Sequence, residues 1–153
     1  MTAAAVAALL VRCVMVLLFL PFSALDKALG FGHAVEQARQ VFKPRWLARA
    51  VILAGLAIEV TCSLGVIAGV ADRAAAFAIA GYCAATAVLF KQFWKPGDFW
   101  SDPDGRARGL FWDFLKNLAL GAGFLLLVVG TDGSGLQPFL DAPFASSQPY
   151  RSP

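Results

Sequence analysis

Four long runs of apolar residues, separated by shorter polar stretches, dominate the sequence. They cover about residues 3–22, 51–70, 74–94 and 110–130. Each run is close to the ~20 residues that an α-helix needs to cross ~30 Å of hydrocarbon. The pattern predicts an all-α membrane protein in which residues 1–130 form one domain, a bundle of four transmembrane helices.

The segments outside the four runs predict one further helix and a tail. In residues 33–42 the apolar side chains of Val35, Ala38, Val41 and Phe42 recur at near-helical spacing, opposite polar neighbours. This spacing predicts a short interfacial helix in the first loop, as a lid or, with more weight, as a linker held by lipid headgroups. Residues 131–153 are rich in proline and glycine, which predicts an irregular, partly mobile tail.

Composition and charge placement support a membrane location. The chain is 59% hydrophobic and only 15% charged, and its net charge is +3. Ten of the 13 Lys and Arg residues lie in or beside the two long loops, Arg12 lies within the first run, and only Arg73 and Arg151 lie on the opposite side. Because Lys and Arg concentrate in cytoplasmic loops, we expect these loops in the cytoplasm and both termini outside. The basic residues flank apolar runs, which favours the lipid bilayer as partner and not nucleic acid.

Two opposite charges interrupt the apolar runs, Arg12 in the first and Glu59 in the second. A charge near the bilayer centre costs at least ~2.5 kcal/mol unless it is paired or hydrated. At ~1.5 Å rise per residue in antiparallel neighbours, the two residues fall at depths only a few Å apart. We therefore expect an Arg12–Glu59 ion pair, which either fixes the helix register or forms a proton or ligand site.

A second polar group is expected where the third run ends and the fourth begins. Asp113, Lys116 and Asn117 share a helix face, and Lys91, Trp94 and Trp112 lie near the same interface. Tyr82 and Thr86, four residues apart, extend a polar track toward Lys91. Such a group suits a quinone ring or a lipid headgroup, whereas the plainer interpretation is an aromatic belt with snorkelling lysines.

Several classes of catalytic centre are excluded by counting ligands. His33 is the only histidine, so one chain cannot supply two histidines to a haem, and the Glu-x-x-His motifs of di-iron bundles are absent. Cys-x-x-Cys, Walker and dinucleotide-binding motifs are also absent. The sequence predicts no catalytic residues, no metal site and no intrinsic cofactor.

The chain resembles the DoxX family of small four-helix membrane proteins over roughly residues 8–130. Arg12, Phe19 and Lys27 mark the first span, AGLAIE ending at Glu59 marks the second, TAVLFKQFW from Thr86 to Trp94 ends the third, and FLKNLAL from Phe114 lies in the fourth. The sequence departs from the resemblance at Lys91, where many relatives have histidine. A redox or proton role that depends on that histidine would not carry over.

The resemblance implies an integral subunit or scaffold, in a bacterial inner membrane, of a redox or oxidative-stress assembly. Its partners would be other membrane or peripheral redox proteins, or further copies of the chain, and quinone is the one cofactor left open. The alternative is a small-molecule or proton carrier that uses the Arg12/Glu59 pair. We expect Arg12, Glu59, Lys116 and Asn117 to form the intramembrane polar site, with Lys91, Trp94, Trp112 and Asp113 as quinone or headgroup contacts.

Overall fold

The computed structural model describes residues 2–130 and 135–150, and all regular structure in these ranges is helical. The helices are α1 (Ala3–Val16), α2 (Ala24–Leu29), α3 (Phe31–Arg39), α4 (Arg45–Ala68), α5 (Asp72–Phe90), α6 (Arg106–Val129) and α7 (Gln137–Asp141), and a π-helical segment (Leu18–Ser23) joins α1 to α2. Four stretches are long and apolar enough to cross a membrane: Ala3–Leu29, Arg45–Ala68, Asp72–Phe90 and Arg106–Val129. The predicted fold class is confirmed.

The helices differ from the predicted spans at their ends. The first extends to Leu29, with a kink in the π-helical segment at Leu20 and Pro21. The second begins at Arg45, directly after Pro44, and not at residue 51. The third ends at Phe90, so Trp94 lies in the following loop. These shifts change which residues of neighbouring helices face each other.

The core of the bundle is formed by small and medium apolar side chains from all four spanning segments. Its fully or almost fully buried members include Val16, Phe19, Val66, Ile79, Cys83, Phe124 and Val128. Helices α5 and α6 approach closely at Gly121, where an added Cβ would lie 3.3 Å from the Ala80 carbonyl oxygen and from Cys83 Cβ. Small residues permit such contacts between helices in lipid, where packing replaces the hydrophobic effect.

The predicted helix in the first loop is present as α3. Its buried residues Ala34, Val35 and Ala38 pack against Ala48 and Ile52 of α4. Two of the predicted apolar positions, Val35 and Ala38, therefore face the bundle. Val41 and Phe42 lie beyond the end of the helix.

The two ends of the bundle differ in the segments that cover them, and they are called the loop side and the tail side. The loop side carries α2, α3 and the connection between α5 and α6. The tail side carries the tight turn between α4 and α5, where Gly69 adopts a left-handed conformation with φ of 69° that ends α4. Residues 135–150 return to this side, so the part of the tail that the structure describes packs on the bundle and is not a free extension.

Candidate functional site

Arg12 lies at the tail side, where it forms a buried ion pair with Asp72, the first residue of α5. Arg12 Nη2 is 2.7 Å from Asp72 Oδ2, and the two side chains are 5% and 0% exposed. Arg12 Nη1 donates to the carbonyl oxygen of Val66 over 2.7 Å. Both charges are therefore neutralised within the protein, which removes most of the cost of placing them in an apolar environment.

The tail completes this cluster. Ser147 donates its backbone N–H to Asp72 Oδ1 over 2.8 Å and its hydroxyl to Asp72 Oδ2, and it accepts a hydrogen bond from Arg12 Nη2 over 3.0 Å. Tyr150 donates its hydroxyl to the carbonyl oxygen of Ile67. Burial raises the pKa of Tyr150 above its ordinary value, so the phenol remains a donor at neutral pH.

The expected Arg12–Glu59 ion pair is wrong. Arg12 is level with Val66, seven residues beyond Glu59 on α4, which corresponds to about 10 Å along the helix axis. The depth estimate failed because it placed the tail-side ends of the two spans level, whereas Arg12, nine residues after the start of α1, lies level with Val66, two residues before the end of α4. A carrier path built on that pair has no basis in this arrangement.

Glu59 instead binds groups from the loop side. Its Oε1 accepts hydrogen bonds from Lys27 Nζ over 2.6 Å, from Ser23 Oγ over 2.8 Å and from the Tyr82 hydroxyl over 2.8 Å. Lys27 and Ser23 lie four residues apart, on α2 and at the end of the π-helical segment, so both face the same carboxylate. Glu59 is 1% exposed, whereas the Lys27 side chain is 20% exposed and reaches the boundary of the cluster.

One oxygen of Glu59 carries all of these contacts. Glu59 Oε2 is buried and has no hydrogen-bond partner among the described residues, and the same holds for Ser63 Oγ, one turn further along α4. The Tyr82 ring lies against α4 because position 55 is glycine, where a Cβ would stand 3.2 Å from Tyr82 Cε2. The carboxylate therefore has spare capacity to accept a proton or a hydrogen bond.

A cavity of about 420 Å³ opens beside this cluster, and it is called the loop-side cavity below. Lys27, Tyr82 and Lys91 supply polar groups to its lining, together with His33. Its apolar wall includes Ile52 and Phe90. The lining thus combines hydrogen-bond donors such as Lys27 with apolar side chains such as Ile52. Such a cavity suits a small ligand that is largely apolar and carries hydrogen-bond acceptors.

The second predicted group is partly assembled. Lys91 Nζ lies 2.9 Å from Asp113 Oδ2, and the Asn117 amide donates to the Asp113 carbonyl oxygen over 2.8 Å. Thr86 Oγ1 lies within hydrogen-bond distance, 3.4 Å, of Asn117 Oδ1. Lys116 forms a longer and more exposed ion pair, with its Nζ 3.7 Å from Asp113 Oδ1 and a side chain that is 75% exposed.

Trp94 and Trp112 lie around this group as exposed members of a larger aromatic cluster. The Trp94 ring stacks edge to face with Phe93 and Phe114, and the Trp112 ring with Phe111. Neither indole lines the loop-side cavity. Their exposure fits the headgroup level of a membrane.

The predicted site residues thus occupy three places. Arg12 lies on the tail side, Glu59 lies beside the loop-side cavity, and Asn117 lies with Lys91 and Asp113 at the loop end of α5 and α6. Lys91 connects the last two, since it also lines the cavity. No group of three or more His, Cys, Asp or Glu residues suited to a metal ion occurs among residues 2–130 and 135–150.

Sequence reasoning missed Lys27 as the partner of Glu59, and Asp72 and Ser147 as partners of Arg12. Lys27 and Asp72 stand just outside the apolar runs, at positions that hydropathy assigns to loops. A charged residue at a helix end is nevertheless an ordinary partner for an opposite charge further inside the membrane. Ser147 lies 135 residues from Arg12 and gave no signal in the sequence.

Comparison with known protein families gives a match to one family model, described as DoxX, over residues 7–92. The matched region contains Arg12, Lys27, Glu59, Tyr82 and Lys91, that is, the whole Lys27–Glu59–Tyr82 cluster. No curated protein and no solved structure matches the chain.

Proposed function

The chain belongs to the DoxX family, and from that premise we propose that it is a non-catalytic subunit or scaffold of a membrane redox or oxidative-stress assembly that binds a quinone. The observation that carries the quinone part is the loop-side cavity, whose lining includes Lys27 and Tyr82, both hydrogen-bonded to Glu59. The family supports the redox part. Partners of the chain would be other membrane or peripheral redox proteins, or a second copy.

The chemistry of the cavity suits a quinone headgroup. A quinone carbonyl accepts hydrogen bonds, and Lys27 can supply one, because its ammonium has three N–H groups and donates to Glu59 and Ser23. The Tyr82 hydroxyl has a single O–H, which already donates to Glu59. The ring and its substituents would pack on the apolar wall that contains Ile52 and Phe90. The quinone would supply the electron chemistry, while the chain's own residues bind and orient it.

Glu59 holds the cluster in position. Its Oε1 accepts hydrogen bonds from both Lys27 and Tyr82, and its own side chain is not part of the cavity lining. In this proposal Lys27 is a ligand-binding residue, and Glu59 and Tyr82 are positioning residues.

Binding of a short-chain ubiquinone or menaquinone analogue tests the quinone part directly. We expect the purified protein in nanodiscs to bind one analogue per chain in isothermal titration calorimetry. Lys27→Gln, which removes the ammonium group, should weaken binding by about 5- to 10-fold, the usual value of one hydrogen bond of ~1 kcal/mol. Lys43→Gln, which removes an exposed cation that is not part of the cavity lining, is the matched control.

Binding that is unaffected by Lys27→Gln would remove the ligand from this cavity. Binding that falls equally in Lys43→Gln would reduce the effect to general surface charge. Absence of binding by the intact protein would overturn the quinone part of the proposal altogether.

Native partners test the assembly part separately. The protein would be purified from its own membranes in a mild detergent, and the proteins that remain in stoichiometric amounts would be identified by mass spectrometry. We expect oxidoreductase or oxidative-stress enzyme subunits. Recovery of the chain alone, or with itself only, would contradict a role as subunit or scaffold of such an assembly.

We also propose an orientation in the bacterial inner membrane, with the loop side in the cytoplasm and both termini outside. It is supported by the ten basic residues in or beside the two long loops. Reporter fusions that are active only in the cytoplasm or only outside it test the orientation when placed after Gly97 or at the C-terminus. The reverse pattern of activity would invert it.

A further inference from the structure

Arg73, the second residue of α5, is a cation at the tail side that forms no ion pair with the residues that the structure describes. Its Nε is buried and has no hydrogen-bond partner among the described residues. The neighbouring carboxylate of Asp72 is already occupied by Arg12 and Ser147. A buried polar atom of this kind normally has a partner, and for a guanidinium group the natural partner is an anion.

Arg73 lines a second cavity, here called the tail-side cavity, of about 470 Å³. It lies at the tail-side ends of α1 and α6, and Arg12 and Ser147 also contribute to its lining. The rest of the wall is mainly apolar and comes from α1 and α6: Ala7, Ala8, Val11, Leu126 and Leu127. The lining of the tail-side cavity is therefore basic at Arg12 and Arg73 and apolar along α1 and α6.

The charge balance of this cavity favours an anionic ligand. Two guanidinium groups, those of Arg12 and Arg73, face a single carboxylate, that of Asp72, which leaves one positive charge uncompensated among the described residues. Guanidinium groups bind phosphate oxygens with matching geometry. Basic pockets between transmembrane helices bind the headgroups of anionic lipids.

We infer that the tail-side cavity binds one anionic phospholipid, with its phosphodiester on Arg73 and an acyl chain along the apolar wall formed by α1 and α6. A lipid is favoured over a free phosphate because most of the lining around Arg73 is apolar and comes from two membrane-spanning segments. This inference is independent of the proposed quinone site, which lies at the opposite end of the bundle.

Native mass spectrometry of the delipidated protein in detergent tests the inference. The probes are palmitoyl-oleoyl phosphatidylglycerol and the phosphatidylcholine with the same acyl chains. We expect one phosphatidylglycerol to remain bound per chain, in preference to phosphatidylcholine. Arg73→Gln should weaken its retention about 5-fold, the usual effect of one basic residue at an anionic lipid surface. Arg49→Gln, which removes an exposed cation from α4 near the loop side, should leave retention unchanged.

A second variant tests the apolar wall without removing a charge. Ala8→Phe fills the cavity beside α1 and should reduce retention of phosphatidylglycerol while Arg73 stays in place. Equal losses in Arg73→Gln and Arg49→Gln, or retention unchanged in both Arg73→Gln and Ala8→Phe, would overturn the inference. Displacement of the lipid by inorganic phosphate at millimolar concentration would replace it with a site for free anions.

Discussion

The ammonium group of Lys27 lies 2.6 Å from Glu59 Oε1, although 32 residues separate the two in sequence. Lys27 reaches this position because the first span continues past Pro21 through the π-helical segment into α2. Had the helix ended at residue 22, Lys27 would lie in a loop and Glu59 would lack its counter-charge. The extension of one helix by less than two turns thus determines how the second span is neutralised.

The unequal exposure of Lys27 and Glu59 predicts that substituting them costs unequal amounts of stability. The Glu59 carboxylate is only 1% exposed, and Lys27→Met leaves it without a cation. This substitution should therefore lower the free energy of unfolding by about 3 kcal/mol. Glu59→Gln should cost less, because Lys27 is 20% exposed and reaches solvent, and the amide oxygen still accepts from Tyr82. Thermal unfolding of both variants in the same detergent measures the order, and equal losses would contradict it.

A double-mutant cycle distinguishes the ion pair that forms from the one that the sequence suggested. Arg12→Gln combined with Asp72→Asn should show a coupling of at least ~1 kcal/mol, since the two side chains are in contact. Arg12→Gln combined with Glu59→Gln should be additive within ~0.5 kcal/mol. Coupling to Glu59 and not to Asp72 in unfolding measurements would restore the original pairing.

The hydrogen bonds of Ser147 to Arg12 and Asp72 predict how strongly the tail is bound to the bundle. Ser147→Ala removes one donor to Asp72 and one acceptor for Arg12, and it should destabilise the docked tail by about 1–2 kcal/mol. Amide hydrogen exchange of residues 145–150 should accelerate accordingly. Ser101→Ala, which alters an exposed serine in the connection between α5 and α6, is the matched control. If exchange of residues 145–150 accelerated equally in this control, the effect would reflect a general loss of stability and not the loss of the Ser147 contacts.

Gly121 and Gly81 are expected to differ in how much stability the protein loses when each is replaced by leucine. Gly121→Leu places side-chain atoms against Ala80 and Cys83, where a Cβ already stands 3.3 Å away, and should cost about 2 kcal/mol. At Gly81 a Cβ meets nothing within 4 Å, so Gly81→Leu should leave thermal stability within ~0.5 kcal/mol of the parent. A loss at Gly81 larger than at Gly121 would point to an interface on the outer face of α5.

Much of the fold follows from the sequence because lipid leaves the backbone few alternatives. Apolar runs of about 20 residues must be helical in a membrane, so their number and order could be predicted. The structure brings Lys91 to Asp113 and Asn117, because two of them share a helix face and the third follows the end of the neighbouring helix. The quinone or headgroup contacts that the sequence predicts for Lys91 and Asp113 stay a prediction. The DoxX resemblance is confirmed over residues 7–92.

The partners of Arg12 and Glu59 could not be predicted in the same way. Which charges meet depends on the axial register of two helices, and a shift of one turn moves a residue by about 5 Å. Hydropathy shows which residues form the two spans, but it carries no information about how far one helix is displaced along the other. Ser147 had no periodic pattern around it, and its contacts arise only from the folded bundle.

The docking of Ser147 also sets an order of events during synthesis. The residues that complete the environment of Arg12 lie 135 positions after it, and they leave the ribosome only after the last span. Arg12 and Asp72 must therefore be inserted and paired while one face of the pair is still open to water or headgroups. Ser147 closes that opening, so the surroundings of Arg12 are completed only after residue 147 has been translated.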